Sequence, residues 1–322
     1  MSSGLAGIRH AGRTLIPSGE KLSDWGYATG WRLVRAMPEG LARNVFDAGA
    51  WYAARGGGPQ QLRKNLARVI GTTPADVPDS LMRAACESYA RYWREAFRLP
   101  SMDLPAVADR LDKVFIGAEY FVAAHSAGRG AVMALPHSGN WDMAGVWLAQ
   151  NYGTFTTVAE RLKPESLYDR FIEFRESLGF EVLPATGGER PPMEVLAERL
   201  RDNVFVCLMA DRDLSRSGVP VQFFGEPTRL PAGPAKLALE TGAPLHPAHV
   251  YYDGDDCVVR IDDAIDTSSG DIGVITQALA DRFAVNIAAH PEDWHMLQPL
   301  WLADLSEKRR ASLAKDHPKD FR

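Results

Sequence analysis

The sequence predicts an α/β fold with a mainly parallel central sheet covered by helices and N-terminal amphipathic helices ahead of it. Three observations predict it. Between about residues 111 and 300, short apolar runs alternate with segments of helical period, the order that builds a parallel sheet. One of those runs, Val204-Phe205-Val206-Cys207-Leu208-Met209, has no polar alternation, as in a strand buried on both faces. Before the alternation begins, Asp24 to Leu99 shows helical patterns only.

The first helical stretch, Asp24 to Ala54, sets Trp25, Tyr27, Trp31, Trp51 and Tyr52 among Arg32, Arg35 and Arg43, with Arg55 just beyond. Pro38-Glu39-Gly40 should divide it into two helices. Basic amphipathic helices bearing Trp suit a bilayer interface. The competing reading packs the same aromatics onto the domain behind them. Gly56-Gly57-Gly58-Pro59 is a loop, Gln60 to Ile70 and Pro78 to Leu99 are helices, and Pro100 to Pro105 closes the section.

Val114-Phe115-Ile116 reads as a short strand, Ala118–Ala127 as a helix, and Ala131–Leu135 as a second strand. A helix over Trp141–Gln150 and a strand over Phe155–Val158 follow. The next helix, Pro164–Leu178, has proline where a missing N–H is tolerated and stops at Gly179. Then come a strand at Glu181–Leu183, a helix with Met193, Leu196, Ala197 and Leu200 on one face, and the apolar strand ending at Met209. Ala235–Thr241 is helical, Pro244–Tyr252 and Cys257–Ile261 are strands joined by a turn, and Ile272–Ala289 is a long helix. Residues 304–322 read as a charged, mobile tail. The whole chain, 1–322, is expected to form a single domain: a membrane-facing helical section at about 20–105, a catalytic core at about 111–300, and the tail.

Composition bounds the function. The 322 residues carry a net charge of −5, yet residues 1–110 hold 15 Lys+Arg against 10 Asp+Glu. A basic, aromatic N-terminal third on an acidic body does not suit duplex DNA, so no nucleic-acid partner is expected; it suits an anionic membrane surface. No apolar run approaches the roughly 18 residues of a membrane span, and the first residues lack the apolar core of a secretory signal. Cys86, Cys207 and Cys257 are scattered and odd in number, which gives neither a disulfide framework nor metal spacing. Peripheral attachment at the cytoplasmic face is the expectation.

The chemistry concentrates at Leu135-Pro136-His137-Ser138-Gly139-Asn140-Trp141-Asp142, a strand-to-helix turn of the kind where open α/β sheets bind ligands. Histidine near neutral pKa is the usual general base, and small residues leave room beside it. Asp211-Arg212-Asp213 follows the fifth strand, and strand ends in a parallel sheet converge. Asp211 can therefore reach His137 across 74 positions and hold its Nδ1–H, while Asp142 competes for that role or serves the helix start. Glu160-Arg161-Leu162-Lys163 lies on the same edge, and its cations could hold phosphate, with Arg175 on the next helix.

These residues resemble a family. The turn from Pro136 to Asp142 is similar to the signature of the glycerolipid acyltransferases. The branch it most resembles holds bacterial lipid A late acyltransferases and actinobacterial phosphatidylinositol mannoside acyltransferases, the latter being the nearer. Val158 to Lys163, Ala210 to Asp213, Arg229 to Ala235 and Thr241 to Leu245 resemble the branch's later blocks, and the likeness runs from about Asp24 to Pro299. The resemblance implies His137 as general base and Asp142 as the motif acid. It implies a glutamate where this chain has Asp211, which keeps the charge on a shorter arm. Glu160 and Arg175 would line the acceptor pocket, with Arg161, Lys163 and Arg212 as neighbouring substrate-binding candidates.

The implied reaction moves a palmitoyl-type chain from acyl-CoA to a mannose hydroxyl of the glycolipid acceptor, with no acyl-enzyme, metal or cofactor. Acyl-CoA is a co-substrate. Three other readings compete: an acyltransferase using acyl carrier protein or another glycolipid or lysophospholipid acceptor, a metal-assisted hydrolase built on His137 and the nearby aspartates, and a lipid-binding protein without catalysis.

Overall fold

The computed structural model describes residues 30–161, 165–213 and 217–316. Six strands form the central sheet: β1 (Val132–Leu135), β2 (Thr156–Ala159), β3 (Glu181–Pro184), β4 (Val206–Met209), β7 (Leu245–Asp253) and β8 (Asp256–Ile261). Their spatial order is β3-β2-β4-β1-β7-β8. Every pairing is parallel except the β7–β8 hairpin, so the sheet is mainly parallel as the alternation predicts. β5 (Val219–Phe223) and β6 (Glu226–Leu230) form a separate antiparallel pair.

The helices are α1 (30–36), then α2 (Glu39–Ala54), α3 (Gln60–Val69), α4 (Asp79–Arg98), α5 (Leu104–Asp112) and α6 (Ala118–Ser126). After β1 come α7 (Trp141–Tyr152), α8 (Glu165–Glu176), α9 (Pro192–Arg201), α10 (Gly233–Thr241), α11 (Ile272–Ala289) and α12 (Glu307–Asp316). Side chains alternate across β1. Val132 and Ala134 join a core with Leu196 and Leu200 of α9, Leu237 of α10 and Leu279 and Phe283 of α11. Met133 and Leu135 face the opposite core, with Leu111 of α5, Val146 and Trp147 of α7 and Phe174 of α8. Both faces are thereby covered, as a parallel sheet requires.

The connections part at the β1–β4 pair. β1 leaves through α7 toward β2, whereas β4 leaves through the β5–β6 hairpin and α10 toward β7. Chains that diverge from neighbouring strands open a crevice beyond their carboxyl ends. His137 follows β1 and Asp211 follows β4, so the crevice receives both.

Several elements depart from the sequence expectations. The strand at 114–116 shrinks to one bridge, Ile116 to Arg260. α5 runs to Asp112 and α6 starts at Ala118, which leaves no length for more. α5 was hidden by Pro105, which sits in its first turn where no N–H is needed, under the Asp103 side-chain cap. Pro220 and Pro227 disguised the β5–β6 hairpin, but a two-stranded ribbon has free edges that accept proline. The C-terminal tail is not simply charged and mobile: α12 occupies much of it and buries Leu313.

The N-terminal helices divide between the two readings of their aromatics. Trp31 packs inward, with its ring 5.1–5.5 Å from those of Phe97, Phe171 and Phe174 and its indole N–H donating to Phe97 O. Arg35 also donates to Phe97 O, and Arg43 pairs with Asp255 at 2.8 Å. Trp51 and Tyr52 remain exposed. Trp25 and Tyr27 lie outside the described residues.

Candidate active site

The turn after β1 is held by its own backbone and by the segment 293–295. Ser138 N–H donates to Pro136 O, Gly139 N–H to Asp293 O, and His295 N–H to His137 O at 2.7 Å. Gly139 has φ +54°, and a Cβ there would fall 2.6 Å from the Val250 carbonyl carbon and oxygen. Only glycine allows the turn to press against β7. Asn140 ends the turn and caps α7: its Oδ1 accepts the Met143 N–H, and its Nδ2 donates to Glu95 Oε2. Glu95 in turn accepts from Arg91 and the Tyr252 hydroxyl, which anchors the turn to α4 and β7.

Asp211 is fully buried beneath His137. Its Oδ1 accepts from His137 Nδ1 at 2.6 Å, and its Oδ2 accepts the His137 backbone N–H and the Trp294 indole N–H, each at 2.9 Å. Burial pushes this carboxyl upward, but the His137 charge, the ring and backbone N–H groups of His137 and the Trp294 donor outweigh it and hold the pKa below the usual range. An ionised carboxylate can only accept, so the imidazole proton resides on Nδ1. Nε2 then carries the lone pair, on a side chain 35% exposed.

Asp142 sits elsewhere. It is buried in the first turn of α7, where its Oδ1 accepts from Arg175 Nε at 3.0 Å and its Oδ2 from the Tyr92 hydroxyl at 3.2 Å. Among the described residues no hydrogen bond or ion pair joins it to His137. Its link is indirect: Trp141 lies edge-on to His137, 5.6 Å between ring centres, and against Tyr92 at 4.2 Å. A buried, paired carboxylate at a helix N-terminus orders that helix start.

Two voids lie near the pair, lined by its neighbours Leu135, Trp141, Met209 and Arg212 rather than by His137 or Asp211. Behind Trp141 an apolar cavity, with about 680 Å³ of non-atom space that includes its opening to solvent, runs between the sheet and α7, past Leu135, Gly145, Phe180, Cys207 and Met209. Cys207 and Met209 are half-buried because they face this space, which corrects the expectation of a strand buried on both sides. The apolar setting pushes the Cys207 thiol far up, so it stays protonated. A second, partly polar void, with about 930 Å³ of non-atom space that includes its opening to solvent, lies at the ends of β2 and β4, lined by Glu160, Arg212, Asp213, Arg229 and Arg309 together with Leu300, Leu302, Leu305 and Leu313.

The sequence-derived substrate residues are therefore split. Glu160 and Arg212 meet in the polar void, while Arg175 borders the apolar one beside Asp142. Arg161 turns outward to an exposed pair with Glu165 at 2.5 Å. Lys163 lies outside the described residues.

His295 and its surroundings, which no sequence motif singles out, adjoin His137. Ser88 donates to Asp293 Oδ1 at 2.5 Å and lies 3.0 Å from His295 Nε2. Burial lifts the Asp293 carboxyl to about 6 and pushes the His295 imidazole down to about 3, the latter with help from His137. His295 is therefore neutral at pH 7, and among the described residues its buried Nδ1 has no hydrogen-bond partner. Trp294 and Tyr92 were also missed. The one available signal was the cluster His290-Pro291-Glu292-Asp293-Trp294-His295, dense in polar groups directly after a long helix.

His137 Nε2 can take a proton from a hydroxyl, and the void behind Trp141 accepts hydrocarbon rather than water. Acyl transfer to an alcohol calls for both. The chain belongs to the bacterial lipid A biosynthesis acyltransferase family, whose model matches residues 14–303. A phosphatidylinositol mannoside acyltransferase of Mycolicibacterium smegmatis is 70% identical over 298 residues, covering 92% of this chain and 97% of that protein. One of the same name from Mycobacterium tuberculosis is 64% identical over 313 residues, covering 97% and 99%.

Proposed function

We propose that this acyltransferase moves a palmitoyl-type chain from acyl-CoA to a mannose hydroxyl of a phosphatidylinositol mannoside. The acceptor follows from the names of the two relatives, which match almost end to end. The observation that carries the chemistry is the 2.6 Å His137–Asp211 pair beside the apolar cavity.

In the proposed reaction, His137 Nε2 accepts the hydroxyl proton as the oxygen attacks the thioester carbonyl. Asp211 stabilises the imidazolium that forms. The tetrahedral intermediate collapses with cleavage of C–S, the imidazolium proton passes to the departing sulfur, and ester and free thiol leave. The N–H groups of His137, Ser138 and Gly139 are already used by Asp211, Pro136 and Asp293. Oxyanion donors are therefore sought at the start of α7, where the helix end is positive. The apolar cavity takes the acyl chain and the polar void takes phosphate-bearing parts of the substrates. Glu160 and Arg212 act there, and Asp142 and Arg175 fix the wall between cavity and turn.

We place the enzyme peripherally on an anionic membrane, at its cytoplasmic face. Among the described residues no helix is long and apolar enough to cross a bilayer. Leu33, Leu41, Val45, Trp51 and Tyr52 are exposed large apolar side chains grouped on α1 and α2, which supports an interfacial role for these helices. The test offers acyl-CoA and acyl carrier protein donors to mannosylated and unmannosylated phosphoinositides. Transfer from acyl-CoA to the mannosylated lipid is expected. Equal transfer to the unmannosylated lipid would overturn the acceptor, and a requirement for the carrier protein would overturn the donor.

A further inference from the structure

A cavity outside the crevice plays no part in the chemistry above. It lies between the end of α2 and the start of α4, has an empty volume of about 1050 Å³ open to solvent, and is lined by Trp51, Arg55, Gly57, Arg63, Asp79 and Arg83 among others. Three guanidinium groups thus share a wall with one carboxylate. Arg63 is a structural post: its Nε donates to Gly57 O at 2.8 Å, one terminal nitrogen to Val77 O at 2.9 Å, and the other to Asp79 at 2.7 Å. Asp79 balances that charge. Arg55 lies over the Trp51 ring, 4.7 Å from its centre. Among the described residues neither Arg55 nor Arg83 has a carboxylate within ion-pair distance. The cavity therefore holds two uncompensated positive charges.

Its rim is built for close approach. Gly56 and Gly57 line the cavity with φ of +67° and +96°, and nothing lies within 4 Å of a Cβ position on Gly56. Gly56 leaves bare backbone at the entrance. Beside it stand Trp51 and Tyr52, 54% and 73% exposed, on the helix that also exposes Leu41 and Val45.

We propose that this cavity binds the phosphate of an anionic phospholipid headgroup and so fixes how the enzyme sits on the bilayer. The inference rests on the reading of α1 and α2 as membrane-facing. Guanidinium groups bind phosphate oxygens in paired hydrogen bonds, and Arg is the residue suited to that geometry. Aromatic side chains settle at headgroup depth in a bilayer, which brings Arg55, stacked on Trp51, to the level of the phosphates. The lipid is recognised at its headgroup while its chains stay in the membrane beside Leu41, Val45 and Tyr52.

The experiment is co-sedimentation of the full chain with phosphatidylcholine vesicles, with and without phosphatidylinositol. Three proteins are compared: wild type, Arg55→Gln with Arg83→Gln, and a charge-matched control, Arg32→Gln with Arg43→Gln. Wild type should bind the phosphatidylinositol vesicles more tightly. The Arg55/Arg83 variant should lose about thirtyfold in that affinity, the control well under half of this on a logarithmic scale. Transfer in detergent by the Arg55/Arg83 variant should match wild type. Equal losses in the two variants would overturn the cavity while leaving the membrane reading standing. Equal binding of wild type to both vesicles would overturn both.

Discussion

Asp211 grips His137 at two points: Oδ1 holds the ring Nδ1 at 2.6 Å, and Oδ2 holds the backbone N–H at 2.9 Å. The same carboxylate therefore sets both where the turn lies and which ring nitrogen is free. A shorter side chain than glutamate suffices because β1 and β4 are adjacent in the sheet, with Leu135 opposite Met209 in register.

Asp211→Asn tests this double role. An amide offers one acceptor oxygen and a donor NH2, so it cannot serve all three donors, and it favours the tautomer with the proton on Nε2. Turnover should fall about 10²–10⁴-fold, with KM for the acyl donor changed little. A rise in KM at unchanged kcat would show that Asp211 holds substrate rather than the base.

Trp294→Phe removes one donor to Asp211 Oδ2 while keeping an aromatic ring. A hydrogen bond to a buried charge contributes about 1.5–3 kcal/mol. Unfolding in urea should show a loss of that order, and kcat should fall more than KM rises. A variant as stable as wild type would show that the indole N–H contributes little to holding the carboxylate.

Cys207→Phe places a ring in the apolar cavity from the floor of β4. Acyl-CoA donors of graded length report the result. Long chains should be transferred at a small fraction of the wild-type rate, and short chains near it. A uniform loss across all lengths would mean that the cavity does not hold the chain.

Acid should destabilise the fold. Burial pushes His249 and His295 down to about 3. The unfolded chain takes up these protons near the ordinary value of about 6.5, so stability falls as pH drops from there toward 3. At pH 5 each site costs about 2 kcal/mol. Asp293 acts in the opposite direction: its carboxyl is raised to about 6, so acidification from pH 7 to 5 returns about 1 kcal/mol. The net loss is about 3 kcal/mol, and Asp211, with its lowered pKa, adds to it only at lower pH. Urea unfolding at pH 7 and pH 5 measures this, and His249→Gln should lose about 2 kcal/mol less than wild type. Equal stability at both pH values would contradict the neutral, buried histidines.

What the sequence could reveal of the site followed from strand geometry. Parallel strand ends share an edge, so a histidine after one apolar run and an aspartate after another could be paired across 74 positions. Asp142 misled because spacing within one turn says nothing about direction; its carboxylate points to Arg175 of α8 and Tyr92 of α4. Trp294, His295, Ser88 and Glu95 were illegible for a related reason. They reach the turn from α4 and from the segment after α11, and no periodicity fixes how those elements dock on the sheet edge. In the fold, Pro105 reads as the close of a section but occupies a first helical turn, and Pro220 and Pro227 sit on the free strand edges of a hairpin that the sequence pattern does not show.

The central claim is that His137 Nε2 is the base of an acyl-transfer reaction. The direct measurement is turnover of purified His137→Ala with palmitoyl-CoA and phosphatidylinositol mannoside, alongside its unfolding curve. A folded protein with transfer reduced about 10²–10⁴-fold is the expected result. A folded variant that turns over near the wild-type rate would contradict the account.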